Sequence, residues 1–455
     1  MYRSTDSTGG RRWLCYYLCV SFRALPIALL TFLPVDPSKS SSYKDVVQDG
    51  FYIQYGDGTA AAGDYIKDDL VIGGATIKAL EMGLAYNATL FTGLLGIGYD
   101  LNEASDSPSG EQDPFVYPSI IDTMVTQGLI STKAYSLYLN DLDASTGSII
   151  FGGIDSDKYH GDLLQIPIVP DTYENGTKVY AEFTVALSSF SMTGQAGNTT
   201  NMTEGEYNAP VILDSGTTLS YLPSRLAALI YDQLGAVDDT QNSGLVFVDC
   251  DILTDSPKMT FNFGFGGSNG VSIQVPGDEM IFQLEGLFSL NGYAPPDLPF
   301  SNVCALGLNG QDEEPFILGD TFLRSAYVVY DLKNNLIAIA QTNFNSTTSS
   351  IVDFQADATA IPNVSGVASS AAVTETATSK LPVGGGHVTT SEATGKTTAT
   401  KSSGSTATGS STGSTGGSTS KSAAVGSFPA FDLTGLMVFG LSSAFAVLGG
   451  GWFLA

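Results

Sequence analysis

The chain has 455 residues, with 19 Lys and Arg against 46 Asp and Glu, 51 Gly, 4 Cys and 2 His, and a formal net charge of −27 at pH 7. It is too long for one small domain and too acidic for nucleic-acid binding, which needs a basic surface to meet phosphate. With histidines only at His160 and His387, His-based catalysis or a Cys/His metal cage has little to be built from; 43% hydrophobic and 14% charged residues also exclude global disorder.

Acid–base chemistry therefore falls to carboxylates, and no metal or cofactor is called for. Residues 36–360 hold 11 Lys and Arg and 42 Asp and Glu, a net −31, while both flanks are slightly basic. Self-repulsion of this kind weakens a compact state at neutral pH and relaxes as carboxylates protonate, which suits acid surroundings. A solvated acidic surface serving solubility is the other reading.

Residues 1–35 form an atypical N-terminal segment. Arg3, Arg11, Arg12 and Arg23 precede the apolar run 24–30, so a signal-like n-region and h-region can be drawn, yet no small-x-small cleavage site follows before Asp36. From 36 to 360 short apolar or alternating runs are broken by Gly, Asn, Asp and Pro. Strands are expected at 51–55, 69–72, 148–151, 163–169, 183–187, 211–213, 259–263, 327–330 and 336–340. Helices are expected at 118–127 and 223–234, the second with Pro223 in its first turn and Gly235 as its stop. A mostly β chain of this length predicts two lobes, 36–175 and 176–360, dividing within 168–182, where Pro170, Asp171 and Asn175-Gly176 interrupt the pattern.

Residues 361–427 are rich in Ser, Thr, Ala and Gly, the composition of an extended, O-glycosylated stalk. They lead into a hydrophobic tail, 428–455, whose last 23 residues are uncharged and carry no basic flank. Small residues, a spacer and an apolar end are the pattern of a GPI attachment signal; an ordinary tail anchor is the alternative. Asn-x-Ser/Thr sequons at Asn87, Asn175, Asn198, Asn201, Asn345 and Asn363 favour the secretory route. In that oxidising setting Cys250 and Cys304 are candidates for one disulfide, against two buried free thiols.

The run most informative about chemistry is Val211-Ile212-Leu213-Asp214-Ser215-Gly216-Thr217-Thr218. An apolar strand ending in Asp-Ser-Gly-Thr places a carboxylate on a tight turn, where Gly216 allows close backbone approach and the hydroxyls of Ser215 and Thr217 can orient the acid. Alone it could be an ordinary turn aspartate. Its companions are Tyr55-Gly56-Asp57-Gly58-Thr59, Gly93-Leu94-Leu95-Gly96-Ile97-Gly98, Phe151-Gly152-Gly153-Ile154-Asp155 and Phe316-Ile317-Leu318-Gly319-Asp320.

With these motifs in this order, residues 36–350 resemble the pepsin-like aspartic proteases (peptidase family A1), most closely the fungal GPI-anchored yapsin and candidapepsin type. The resemblance implies an all-β, bilobal fold with Asp214 as a catalytic carboxylate. Tyr55, Gly56 and Asp57 would form a substrate-covering flap, and Ser215, Gly216, Thr217 and Thr218 would bind substrate beside Asp214. Two apolar-apolar-Gly segments would pack beneath the catalytic turns. The implied activity is acid-pH hydrolysis of peptide bonds by a monomer at the cell surface or wall, held to the membrane by a GPI anchor. Two facing carboxylates would share one proton and activate a water.

The resemblance breaks at the first of those carboxylates. A family member carries an Asp-Thr-Gly-Ser on a buried strand some way before the segment resembling 36–43, and no such motif occurs here, so the N-terminal lobe is expected to be incomplete. Asp6, in Asp6-Ser7-Thr8-Gly9, has too short and too polar a run before it to stand in. A reading frame with a replaced opening exon and a genuine pseudoprotease are the two explanations, and under either the chain as written is expected to be inactive. The alternatives in function are a non-catalytic peptide-binding surface protein and a structural cell-wall glycoprotein.

Overall fold

The computed structural model describes residues 36–362 apart from stretches at 91–92, 107–113, 145, 174–175, 195, 206, 255–258, 268–269, 285–296 and 357–360, together with Trp13–Leu14, Val364–Val367 and Glu375–Thr376. The sequons at Asn175 and Asn363, the residue Asp6, the run 24–30 and nearly all of the proposed stalk and tail lie outside these residues.

Each expected strand stretch overlaps a strand, but several strands run well beyond it: 51–55 falls at the end of Lys44–Gln54, 69–72 at the end of Ala60–Ile72 and 183–187 at the start of Thr184–Thr193. Lys44–Gln54, Ala60–Ile72 and Ala75–Ala88 form an antiparallel meander, with Trp13–Leu14 paired to its far edge. Gly73 and Gly74, both at positive φ (54° and 81°), form the two-residue turn between its second and third strands. Such a turn matches the natural twist of a hairpin only if both residues accept the left-handed region.

A six-stranded sheet runs in the order Val364–Val367, Tyr159–Pro167, Leu336–Thr342, Ala326–Asp331, Ala134–Tyr138, Ser148–Phe151. It takes strands from both sides of the 168–182 stretch, so the two halves of the chain share one sheet. Every residue of Ala326–Asp331 is buried, as expected for a strand covered on both faces. The 168–182 stretch itself contains a small hairpin, Asp171–Thr172 against Lys178–Val179.

The large sheet of the second half runs Val271–Pro276, Thr260–Phe265, Thr184–Thr193, Ala209–Leu213, Phe316–Leu318, Ser220–Pro223, Leu308–Gln311, with Thr199–Asn201 beside Thr184–Thr193. Phe190, Phe261, Phe263, Phe265 and Phe322 are buried beneath it, each contributing roughly 1.5–3 kcal/mol of burial. A smaller sheet, Val237–Asp239, Leu245–Asp249, Val303–Leu306, Ile281–Gln283, is cross-linked by a disulfide between Cys250 and Cys304. The architecture is mostly β and bilobal.

Helices are few and short. Ser119 caps Ile120–Thr126, its Oγ accepting from Asp122 N at 3.3 Å. The helix Ser224–Leu234 ends at Gly235, which takes the left-handed conformation (φ 61°). Pro223 stands not in its first turn but at the N-cap, because it is still the last residue of strand Ser220–Pro223, in extended geometry and in register with Gln311.

Candidate active site

Asp214 follows the strand Ala209–Leu213 at the centre of the large sheet. That strand lies antiparallel to Thr184–Thr193 and parallel to Phe316–Leu318, and Val211 and Leu213 are buried. The apolar run therefore anchors the turn from below, while Asp214 itself is half-buried and Gly216 exposed.

The turn is held by its own polar atoms. Gly216 N donates to Asp214 Oδ1 at 2.8 Å and Thr217 Oγ1 to Asp214 Oδ2 at 2.6 Å. Each carboxylate oxygen thus accepts one local donor, which fixes the orientation of the group. Asp214 N donates to Leu318 O at 3.2 Å, tying the turn to the apolar-apolar-Gly segment beneath it. Past Gly319 the chain pairs with the turn again: Asp320 N donates to Thr217 O at 2.8 Å and Thr321 N to Thr218 O at 3.1 Å. Ser220 Oγ and Thr321 Oγ1 meet at 2.9 Å below, and Thr321 Oγ1 donates to Gly307 O. Ser215, Thr217 and Thr218 are all half-buried, so the motif residues gather on one turn.

Residues 55–59 form a hairpin turn. Tyr55 N donates to Thr59 O at 2.8 Å and Gly58 N to Tyr55 O at 2.9 Å; Asp57 Oδ1 accepts from Thr59 N and Thr59 Oγ1. Tyr55 is half-buried, while Gly56 and Asp57 are exposed. Burial pushes the phenol of Tyr221 up, a hydrogen bond with Asn309 opposes the rise, and the charge of Asp57 adds to it. Tyr221 lies on the strand that leaves the Asp214 turn. Of the other packing segment, Leu95 and Ile97 lie against the main core.

Several groups around Asp214 went unnoticed in the sequence. Burial pushes Asp320 up to about 7, a rise that Arg324 opposes and the charge of Asp214 increases. Tyr330 and Tyr135 stack with ring centroids 4.8 Å apart, and Tyr330 Oη donates to Leu213 O at 3.4 Å. Both phenols are raised by burial, with Asp214 adding to each. Glu182 is pushed up to about 7 by burial, then by Asp171 and Asp214. Asp320 could have been suspected as an acid directly after a buried Gly; Glu182 carries no local signal.

Of the sequons, Asn87, Asn198, Asn201 and Asn345 are exposed. Among the described residues, no group of three or more His, Cys, Asp or Glu is placed to hold a metal, and no helix is long and apolar enough to cross a membrane.

Residues 34–342 match the family model described as "Eukaryotic aspartyl protease". The chain is 39% identical over 332 residues to the probable aspartic-type endopeptidase opsB of Aspergillus oryzae, covering 73% of this chain and 63% of that protein. It therefore spans less than two thirds of that relative's length. It is 36% identical over 308 residues to candidapepsin-1 of Candida albicans, covering 68% of each. The crystal structure of an aspartic proteinase from Irpex lacteus superimposes with a TM-score of 0.53 at 22% identity, covering 75% of this chain and 90% of that one, a likeness of fold.

Proposed function

We propose, from the premise that this chain belongs to the eukaryotic aspartyl protease family, that its site is built for hydrolysis of peptide bonds by a carboxylate-activated water. One observation carries this reading: Asp214 stands at the end of a buried strand with each oxygen held by a turn donor. In the reaction, the carboxylate accepts a proton from water as the water oxygen bonds to the scissile carbonyl carbon. A second acid then protonates the carbonyl oxygen, and the C–N bond breaks as the nitrogen takes a proton. No covalent enzyme intermediate is involved.

The sequence holds a single Asp-Ser-Gly-Thr motif and no facing Asp-Thr-Gly-Ser, so the chain as written is catalytically silent or nearly so. The Tyr55–Thr59 hairpin supports a second reading, in which the cleft grips an extended peptide by backbone pairing without cutting it. The exposed sequons and the Cys250–Cys304 disulfide support a secreted, glycosylated protein, and the apolar C-terminal pattern supports a GPI anchor at the cell surface.

The test is peptide cleavage between pH 3 and 7 by the full chain, by its Asp214→Asn variant, and by a chain given an apolar strand plus Asp-Thr-Gly-Ser upstream of Asp36. The first two should cleave little and alike. The third should gain acid cleavage that Asp214→Asn lowers by about 10³-fold or more. A large loss on Asp214→Asn in the unaltered chain would refute its silence. Failure of the third chain to cleave, while folded, would remove the proteolytic reading.

A further inference from the structure

We propose that Glu182 is a proton-holding partner of Asp214, a second carboxyl group set against the catalytic turn by the register of the sheet. This rests on Asp214 being the site's working carboxylate. Strand Thr184–Thr193 pairs antiparallel with Ala209–Leu213, Thr184 opposite Ile212 and Val185 opposite Val211. The ladder continues one step further, because Leu213 N donates to Phe183 O at 3.2 Å. The next residues in the same register are Glu182 and Asp214. A hydrogen-bonded pair is followed by a non-hydrogen-bonded one, in which opposite side chains share a face and stand closest.

Two carboxylates placed across a ladder repel each other, and a sheet tolerates the arrangement if one of them keeps a proton. None of the salt bridges among the described residues reaches Glu182. The charges that act on it are those of Asp171, in the small hairpin, and of Asp214, and its own charge acts on the phenol of Tyr173. Behind Asp214 stand Tyr330 and Asp320, the latter with Arg324 beside it. Lys178, in the same hairpin, is exposed and lies opposite Thr172. Burial and like charge act in the same direction on Glu182, holding it protonated into the range where ordinary carboxyls are ionised.

Glu182 is therefore a positioning residue that acts through Asp214: the proton on Glu182 limits the negative charge gathered at the turn. This differs from a dyad contributed by two lobes, because both groups here belong to one sheet.

The experiment is a ¹³C NMR titration, from pH 3 to 9, of the full chain labelled at the glutamate side-chain carboxyl. The Glu182 resonance is the one missing in Glu182→Gln. Its midpoint should lie above those of the exposed glutamates, and in Asp214→Asn it should fall by about one unit. Asp214→Ser, which removes the charge with a smaller side chain, should give the same fall and guards against a fold change peculiar to the amide. A midpoint in the ordinary glutamate range, or one that neither variant moves, overturns the proposal. The titration needs no turnover, so absence of cleavage in the protease assay would sink the proteolytic reading and leave the Glu182 result to be judged separately.

Discussion

Gly319 lies against the backbone of the Asp214 turn: a Cβ placed on it would stand 2.2 Å from the carbonyl oxygen of Thr217 and 2.3 Å from that of Leu219. Both atoms are main chain, and Thr217 O is held by the hydrogen bond from Asp320 N, so neither can rotate aside as a side chain could. Gly319→Ala should therefore destabilise the second lobe at the upper end of the ~1–3 kcal/mol typical of overpacking. Denaturant unfolding followed by Tyr fluorescence would measure it, and a change below about 0.5 kcal/mol would contradict the close approach.

Arg324 and Glu279 form a buried ion pair. Arg324 Nε donates to Glu279 Oε2 at 2.5 Å and its Nη2 to Glu279 O, while Leu142 N donates to Glu279 Oε1 at 3.0 Å. Replacing Arg324 by Met leaves the carboxyl buried without its counter-charge, at a cost of about 3–5 kcal/mol near pH 7. Burial already raises Glu279, and without the Arg324 charge the hydrogen bond from Leu142 N is left to oppose it. A carboxyl raised in the folded state is fully accommodated below its unfolded value and loses that stability as pH rises. The deficit of Arg324→Met should accordingly shrink at pH 4, a comparison that two unfolding curves would settle.

The whole chain should lose stability between acid and neutral pH. Burial pushes Glu103, Glu182 and Asp320 up to about 7 and Asp106 up to about 6. Each is raised relative to the unfolded state, so its contribution is present below pH ~4 and is lost as pH rises through 6 and 7. The −31 net charge of residues 36–360 acts with the same sign. The thermal midpoint should fall steadily from pH 4 to 7.5, and Glu103→Gln, which keeps a partner for the hydroxyl of Tyr117, should flatten part of that slope. A midpoint that rises over this range would contradict the assignment.

The Cys250–Cys304 disulfide closes a loop of sequence separation 54 between a short helical turn and the strand Val303–Leu306. On the chain-entropy account such a loop is worth about 4 kcal/mol. Because Val248 and Cys304 are already paired in the sheet, the strands should stay associated on reduction while the unfolding midpoint drops. Melting curves with and without reductant, checked by Cys250→Ser/Cys304→Ser, would show it.

Much of the fold could be read from short stretches of chain. The run from Val211 to Thr218 shows an apolar strand and a carboxylate turn, and the structure has both; the Thr217 hydroxyl holds Asp214 as expected, while its other oxygen is held by Gly216 N rather than by the Ser215 hydroxyl. Gly235 marked the end of a helix, and the Tyr55–Thr59 segment a hairpin tip, because each conformation is chosen by one or two residues. Strand ends were harder: the expected 69–72 is the tail of Ala60–Ile72, whose earlier part contains Ala, Gly and Asp, residues poor in strand signal but paired across the meander. Pro223 was placed one position too far inside its helix, since the pairing that keeps it in a strand comes from Gln311, far along the chain.

By itself the amino-acid order determined which side chains can do chemistry and the local shape that presents them. Strand, turn and cap preferences act over a handful of neighbouring residues, so they survive without the rest of the molecule. Tertiary structure alone decided that Thr184–Thr193 pairs with the strand leading to Asp214, that Tyr135 and Tyr330 stack, and that both halves of the chain share a six-stranded sheet. Proximity between charges and their removal from water are properties of distant segments brought together. They shift protonation only once those contacts exist, and no periodicity along the chain records them.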